Sequence, residues 1–485
     1  LSGGDLNLNL TFDSNFENQN NNKWLSNASL ITSYKQNINE KFRLKLDSAL
    51  QTSKEYIQIT DPNNDLSYQS SLSTKFNIEG YNIKKIDDKL LLNLSHYQSN
   101  QNDEDNKTTP IVLPYIEYYS GFNKFKDVDI ENRFTFYNIN RDKNTDIHSK
   151  SQQKLSHQVN FTKEYIKFNS KITFLSELHN QLFKTENKLL HDSKFHTGSY
   201  YRIFPITGMK IVTPFKFKKS KYNIYYEPYL FPVVTPGSSN SNKLSNEDSS
   251  VNAFSINNNN LLNRFTGSDK LDNSKRINYG IKISNEKINL DFAQYYEFTE
   301  NSNYHNEQGN DDNLSDLLGQ INYNNKIVGF NYDIRYDVDN NFPKQQNVEI
   351  NPKTDIGEIY ISYLDQKSKT DEIITTDKET FNYAITSKKF AKYSRLKISG
   401  LYDLKEDINK EYLIGYSYYD ECFGIDINFS RKSYKENDLK PQDNLTLMFS
   451  FKNIGSYKSS NILTTGEGKE DINWETIEVD NELFN

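Results

Sequence analysis

The side chains able to do chemistry are few and widely spaced along the 485 residues. Histidines stand at His96, His148, His157, His179, His191, His196 and His305. No two of them have the one-turn spacing of a helical zinc site, and no strand-turn-helix nucleophile motif surrounds a serine. A hydrolase built into a membrane barrel needs only a Ser–His pair on adjacent inward positions, which the sequence leaves open. Cys422 is the single cysteine, so no disulfide can form within the chain, and no Cys/His spacing suggests zinc. Asp333, Arg335 and Asp337 alternate along one stretch, and Asp426 lies on another. Charges at two-residue spacing read as the lining of a wet face, with a substrate contact at Arg335 as the other reading. The expectation is no catalytic residue, no cofactor, no metal and no enzyme.

The elements that must carry these residues are strands. In the stretch Phe423 to Arg431 the apolar residues Phe423, Ile425, Ile427 and Phe429 alternate with Gly424, Asp426, Asn428 and Ser430. From Asn444 to Phe451, Leu445, Leu447, Phe449 and Phe451 alternate with Asn444, Thr446, Met448 and Ser450. Period two over this length means an extended strand with one apolar and one wet face. The same pattern opens the chain, with Leu6, Leu8, Leu10 and Phe12 on one face. It recurs at Val328–Asp337, where Val328, Phe330, Tyr332, Ile334 and Tyr336 form the apolar set. We read about 23 strands and no convincing helix.

Composition agrees. Apolar residues are 35%, below the roughly 45–50% of ordinary globular domains, and mean hydropathy is -0.83. Yet aromatics reach 14%, with 34 Tyr and 30 Phe, more than a disordered chain carries. Such a chain suits a sheet that needs only one apolar face. The net charge of -7 gives no reason to expect a nucleic-acid partner. No stretch approaches the roughly 18 apolar residues of a membrane helix. The chain opens at Leu1 without an initiator methionine or signal peptide, and reads as processed or, preferably, a fragment.

From Lys221 onward short and long connections alternate. Ser284–Lys287, Asn324–Lys326, Pro352–Asp355 and Lys388–Lys392 are short; Thr235–Ser274, Glu300–Asp316, Gln366–Thr380 and Lys432–Gln442 are long. That meander, with all long loops on one rim, predicts a large antiparallel transmembrane β-barrel over residues 1–454, followed by a periplasmic tail over 455–485. Tyrosines at strand ends fit interfacial girdles. Prolines at Pro110, Pro114, Pro205, Pro214, Pro228 and Pro232 should mark bulges, strand ends or weak pairing. Strands also read at Ile166–Leu178, Phe195–Phe204 and Met209–Lys218, and between His179 and Ser220 the up-and-down count slips by one. A β-sandwich or a solenoid is the rival architecture, but neither linkers nor a repeat period appear.

The long connection carries the most specific text: Asn246-Glu247-Asp248-Ser249, then Asn263-Arg264-Phe265-Thr266-Gly267-Ser268-Asp269-Lys270, then Arg276-Ile277-Asn278-Tyr279-Gly280. This resembles the lipopolysaccharide-assembly outer-membrane family LptD, whose barrel carries these motifs in this order; Lys270 stands where the family usually has arginine. Arg202 with Pro205, Glu227-Pro228, and Tyr418-Tyr419-Asp420-Glu421-Cys422-Phe423 add to the likeness. The resemblance implies a barrel of about 26 strands, so the missing strands and a periplasmic jelly roll would precede Leu1. It implies that Cys422 forms a disulfide with that absent domain in an oxidising compartment; the alternative is a buried inert thiol.

What the resemblance further implies is export of lipopolysaccharide into the outer leaflet of a Gram-negative outer membrane, as part of cell-envelope biogenesis. Acyl chains would leave through a lateral gate, of which Asn444, Leu445, Thr446, Leu447, Met448, Phe449, Ser450 and Phe451 form one lip. Asp333, Arg335, Asp426, Asn428 and Ser430 would face the lumen. The implied partners are an LptE-like lipoprotein plug and, through the absent domain, a periplasmic LptA-type bridge. The rival function is a passive channel or receptor barrel.

Overall fold

The computed structural model describes residues 3–17, 23–54, 56–57, 66, 69–100, 104–190, 192–219, 222–235, 240–251, 254–299, 313–370, 373–432, 442–452, 455–459 and 474–477. The chain is all-β and antiparallel, and divides into two units. Leu1–Thr213, Tyr229–Tyr279 and Tyr295–Asn313 form the first; Pro214–Pro228, Gly280–Gln294 and Leu314–Asn485 form the second.

The first unit runs through β1 (Asp5–Glu17), β2 (Lys23–Asn37), β3 (Phe42–Gln51), β4 (Ser71–Tyr81), β5 (Lys89–Ser99) and β6 (Ile111–Tyr119). It continues through β7 (Asn123–Phe125), β8 (Val128–Asn140), β9 (Ser151–Lys167), β10 (Ser170–Leu189) and β11 (Phe195–Val212). Each strand pairs with the next, except that β7 continues β6 along the edge of β8. Along the chain β12 (Phe215–Lys219), which belongs to the second unit, and β13 (Tyr222–Val234), divided between the two, follow, then a small hairpin of β14 (Ser250–Val251) and β15 (Phe265–Thr266) in the first unit, with one helical turn α1 (Ile256–Asn259) between them. β16 (Lys275–Ser284) and β17 (Ile288–Glu297) come next.

The second unit holds β18 (Leu317–Asn324), β19 (Val328–Asp337), β20 (Phe342–Pro352), β21 (Gly357–Thr370), β22 (Ile373–Ser387) and β23 (Ser394–Asp403). β24 (Ile408–Tyr419), β25 (Phe423–Lys432), β26 (Gln442–Phe451), β27 (Gly455–Ser459) and β28 (Trp474–Ile477) complete it. From β17 on, every strand ladders with its successor.

The apolar rows decide between the rival architectures. Leu6, Leu8, Leu10 and Phe12 of β1 are 61–67% exposed, and Leu155, Leu182, Tyr201 and Ile203 of β9–β11 are 50–59% exposed. A sandwich would bury such rows against a second sheet; here they point away from their own sheet into the surroundings, as lipid-facing rows do.

Several expectations need correction. The strands expected at Phe195–Phe204 and Met209–Lys218 are one crossing, because Pro205 sits inside β11 opposite Leu178. The ladder from β11 to β13 begins only at Thr207, so Pro205 lies where that side of the strand needs no donor. The real break falls at residues 213–214, after which β12 keeps pairing with β13. That merger removes the slip in the up-and-down count. Pro114 and Pro232 do fall at interruptions of their ladders. Strand Ile166–Leu178 was expected unbroken; a two-residue turn at Phe168 and Asn169, with φ of 51° and 59°, splits it. The long loop expected at Gln366–Thr380 is mostly strand, with a bulge after Gln366, as its run of Thr and Ile favours. Finally, Phe451 does not end the sheet: β27 ladders onto Met448–Phe451 and β28 onto β27. The remainder of the expected tail lies outside the described residues.

Candidate functional site: a loop locked onto the polar face

On β8–β11 alternation puts one set of side chains on the face opposite the exposed apolar rows. Tyr137 stands beside Lys154, and Lys154 beside Phe183; Ser156 stands beside Gln181, and Gln181 beside Arg202. All six are buried. What buries them is the long connection after β13, expected as one of the long loops on a rim, which lies on this floor and carries the family motif.

Two segments of that loop clamp each other. The Asp269 carboxylate accepts the backbone N–H groups of Glu247 (2.7 Å) and Asp248 (3.1 Å). Asp248 returns the favour, accepting N–H from Ser268 (3.0 Å) and Asp269 (2.7 Å). Asn246 closes the turn by donating to the Ser249 carbonyl at 2.6 Å. Gly267 has φ of +73°, and a Cβ there would stand 2.2 Å from the Asp248 carbonyl oxygen. Only glycine supplies both that backbone and that clearance.

The strands then hold the clamp by charge. Lys154 Nζ donates to Asp269 Oδ1 (2.6 Å), Ser268 Oγ (2.7 Å) and Asp248 Oδ2 (2.8 Å). Its ammonium also lies 5.2 Å from the Tyr137 ring centroid, and the Tyr137 hydroxyl donates to Asp269. Arg141 grips Glu247 with both terminal nitrogens, at 2.6 and 3.1 Å. Arg202 donates to the carbonyls of Ser268 and Asp269, both at 2.9 Å. Burial would raise the Asp248 carboxyl, but the charge of Lys154 and its hydrogen bonds hold it below the usual range. Asp269 is deeper; burial pushes its carboxyl up, with the neighbouring Asp248 adding to this and Lys154 opposing it.

A second knot fixes the loop's return. Asp272 takes Arg264 Nε at 2.6 Å and Arg276 Nη1 at 3.0 Å, with all three side chains buried. Arg276 also reaches the Leu262 carbonyl (3.2 Å) and Asn278 Oδ1 (3.2 Å). Arg264 lies 4.7 Å from the Tyr295 ring and near Glu297. Leu262 and Leu271 of the loop then meet Phe204, Ile206, Phe231 and Val233 in a dry cluster. A Cβ on Gly208 would collide with Phe231 and Leu262, so glycine permits this approach. The face expected to be wet is therefore dry here, because the chain's own loop covers it.

Of the motif residues, Asn246, Glu247, Asp248, Gly267 and Asp269 meet in the first knot, and Arg264 and Arg276 in the second. Tyr279 and Gly280 lie on β16 outside both. The expected lumen residues sit elsewhere, in the second unit. Asp333 accepts from Gln320 (2.8 Å) and Asn331 (2.9 Å). Arg335 lies 3.5 Å from Asp316, and Lys344 bridges Asp316 and Asp337. On β25, Asp426 accepts from the Tyr419 hydroxyl, Asn428 lies over Gly415, and Ser430 faces Asn444. Asp333 and Asp426 are on strands far apart in the order and are not brought together.

Lys154, Tyr137, Arg141 and Asp272 escaped the sequence reading. The one signal was a lysine at an inward position inside an alternating strand. Cys422 is exposed in the turn between β24 and β25, where Asp420 Oδ1 accepts its N–H at 2.9 Å. Among the described residues no group of His, Cys, Asp and Glu could hold a metal. The arrangement is a lock.

The profile of a family described as LptD, LPS transport system D, matches residues 27–408. No curated protein matches the chain. Among solved structures, the siderophore receptor PirA from Acinetobacter baumannii is 8% identical with a TM-score of 0.41, over 90% of this chain and 80% of that one. A mutant of the ferric enterobactin receptor PfeA from Pseudomonas aeruginosa is 8% identical with a TM-score of 0.36, over 95% of this chain and 74% of that one.

Proposed function

The chain belongs to the LPS transport system D family, a family of the outer membrane, and on that premise we propose that it passes lipopolysaccharide across a polar lumen into the outer leaflet. The observation that carries the reading is the sheet's two-facedness: exposed Leu, Ile and Phe rows on one side, charged networks on the other. A glycolipid has the same division. Its sugars need the polar face, while its acyl chains need a sideways exit to the membrane, since a continuous ladder bars them.

That exit is a gate with β26 as one lip, Asn444 through Phe451, next to the hairpin of β27 and β28. Asp333, Arg335, Asp426, Asn428 and Ser430 line the sugar path. The locked loop covers the polar floor of β8–β11. A lipoprotein plug and a periplasmic bridge complete the machine, the bridge reached through an upstream domain tied to Cys422.

The test is photo-crosslinking in cells from Asn428 and Asp426, with Leu182 as the lipid-facing control. Adducts with lipopolysaccharide are expected from the first two. Their absence, with crosslinker incorporated and the protein assembled, would sink the export reading in favour of a channel.

A further inference from the structure

His148 lies in the turn at residues 141–150 between β8 and β9, outside the strands and against the locked loop. A histidine on a turn is ordinarily a solvated group that titrates without consequence. The ring of this one is partly in solvent, but its Nδ1 is sealed from water and has no hydrogen-bond partner among the described residues. Glu247 Oε2 of the loop stands 3.5 Å from that nitrogen, and the Asn246 backbone lies against the ring. His148 therefore touches the loop at the Asn246–Ser249 end of the clamp.

Glu247 is already fully engaged. Its buried carboxylate takes both terminal nitrogens of Arg141 and the Ser245 hydroxyl. Ser245 Oγ in turn accepts the N–H of Ser149, the residue after the histidine, at 2.9 Å. A second cation stands behind the turn: Lys188 Nζ donates to the carbonyls of Asp146 (3.2 Å) and Ile147 (2.6 Å). The imidazole thus faces Glu247 on the loop, Arg141 just after β8 and Lys188 on β10, one negative group and two positive. Of the other acids at this end, Asp146 in the same turn is set against Lys188. Glu186 of β10 pairs with Lys184 and accepts from the Ser151 hydroxyl.

We propose that His148 is an acid-sensitive latch on the loop: the neutral imidazole lets residues 245–249 stay clamped, and its protonation drives them off the floor. The reason is the balance of charge in a space shielded from water. Glu247 is matched by Arg141, so an imidazolium placed beside them meets two like charges and a carboxylate whose oxygens are taken. Repulsion in such surroundings is stronger than in open solvent. Burial holds the imidazole below its ordinary value, with Arg141 and Lys188 adding to this and Glu247 and the Asn246 backbone opposing it. Release of the loop returns it to that ordinary value, about 6.5. The open form then binds more protons than the closed one, so closure is fully favoured above about 6.5 and is lost as pH falls through the closed-form value. Asp269 pulls the other way, since burial raises its carboxyl. The latch goes beyond the export reading and stands without it.

The test puts a nitroxide on the loop of the full chain in detergent micelles, through Lys243→Cys in a Cys422→Ser background. Lys243 is exposed, so the label disturbs neither knot. Electron paramagnetic resonance reads the mobile fraction at about pH 8 and about pH 5, either side of the range in which histidines titrate. With His148 present, that fraction should rise at least about fivefold on acidification, the low end of ordinary coupling between two sites. His148→Gln, which leaves Asp248 and Asp269 in place, should stay closed at both values. His96→Gln, on β5, should respond as the parent does. An unchanged mobile fraction in the parent, or a tighter loop in acid, overturns the latch. So does a rise that survives in His148→Gln, which assigns the titration to another group. A His148→Gln loop already open at about pH 8 overturns it too, since the imidazole would then be a strut and not a switch.

Discussion

Lys154→Met removes the one cation that both loop carboxylates share and leaves the loop's other contacts in place. Lys154 is fully buried, and so is its partner Asp269. Breaking a buried pair from one side costs about 3–5 kcal/mol, because the partner's charge is left without compensation. Every 1.4 kcal/mol is tenfold, so the fraction of molecules with the loop released should rise by about a hundredfold to a few thousandfold. The reporter is trypsin cleavage after Lys243 and Lys270, both in the loop, followed by mass spectrometry in detergent micelles. Where reclosing outruns cleavage, the rate follows the open population. Adding Asp269→Asn to Lys154→Met should restore part of the protection, since the stranded buried charge goes with it. The reasoning is refuted if Lys154→Met is cut at Lys270 no faster than wild type. It is equally refuted if wild type is cut there as fast as at Lys405 in an exposed turn.

Gly267→Ala should release the same loop, since its Cβ would stand 2.2 Å from the Asp248 carbonyl oxygen at a positive φ; the trypsin assay reads it, and unchanged protection would count against the clamp. Leu182→Arg on the lipid-facing row should cost about 2–4 kcal/mol of folding in lipid vesicles if it sits near mid-bilayer, while leaving the loop's protection intact in micelles. Asp316, buried beside Lys344 and Arg335, should titrate at about 6, against about 3.9 for a free aspartate. Its folded value is raised, so its ionised form is penalised in the fold: that penalty is fully felt above the folded value and fades as pH falls toward 4. An infrared titration of the carboxyl band, with Asp316→Asn as the blank, checks it, and a midpoint near 4 contradicts it. Cys422 should label rapidly with a maleimide in this chain. In cells, the proposed disulfide to an upstream domain should block labelling until reductant is added, and labelling without reductant would argue for a free thiol.

Strand content, face and direction were legible in the residues alone. The alternation of Phe423, Ile425, Ile427 and Phe429 is a local consequence of the two-residue pleat, and it holds whatever the strand pairs with. Of the expected long connections, Thr235–Ser274 was legible, Gln366–Thr380 was not, and Glu300–Asp316 and Lys432–Gln442 lie mostly outside the described residues. Pro205 misled because the cost of a missing N–H depends on whether a neighbour needs that donor, which is a property of the sheet and not of the residue. Thr370 to Thr380 misled because polar β-branched residues read as loop until a partner strand claims them.

The loop was visible as a motif but not as a lock. Lys154 and Asp269 are separated by 115 residues, and nothing local to either says that they touch. Only after registry sets Tyr137, Lys154, Gln181 and Arg202 side by side does a floor exist on which Asp248 and Asp269 can land. Order along the chain thus decided which faces are greasy and which polar. Packing decided which stretch of polar face stays dry, because desolvating a carboxylate is tolerable only where an ammonium and several N–H donors already converge on it.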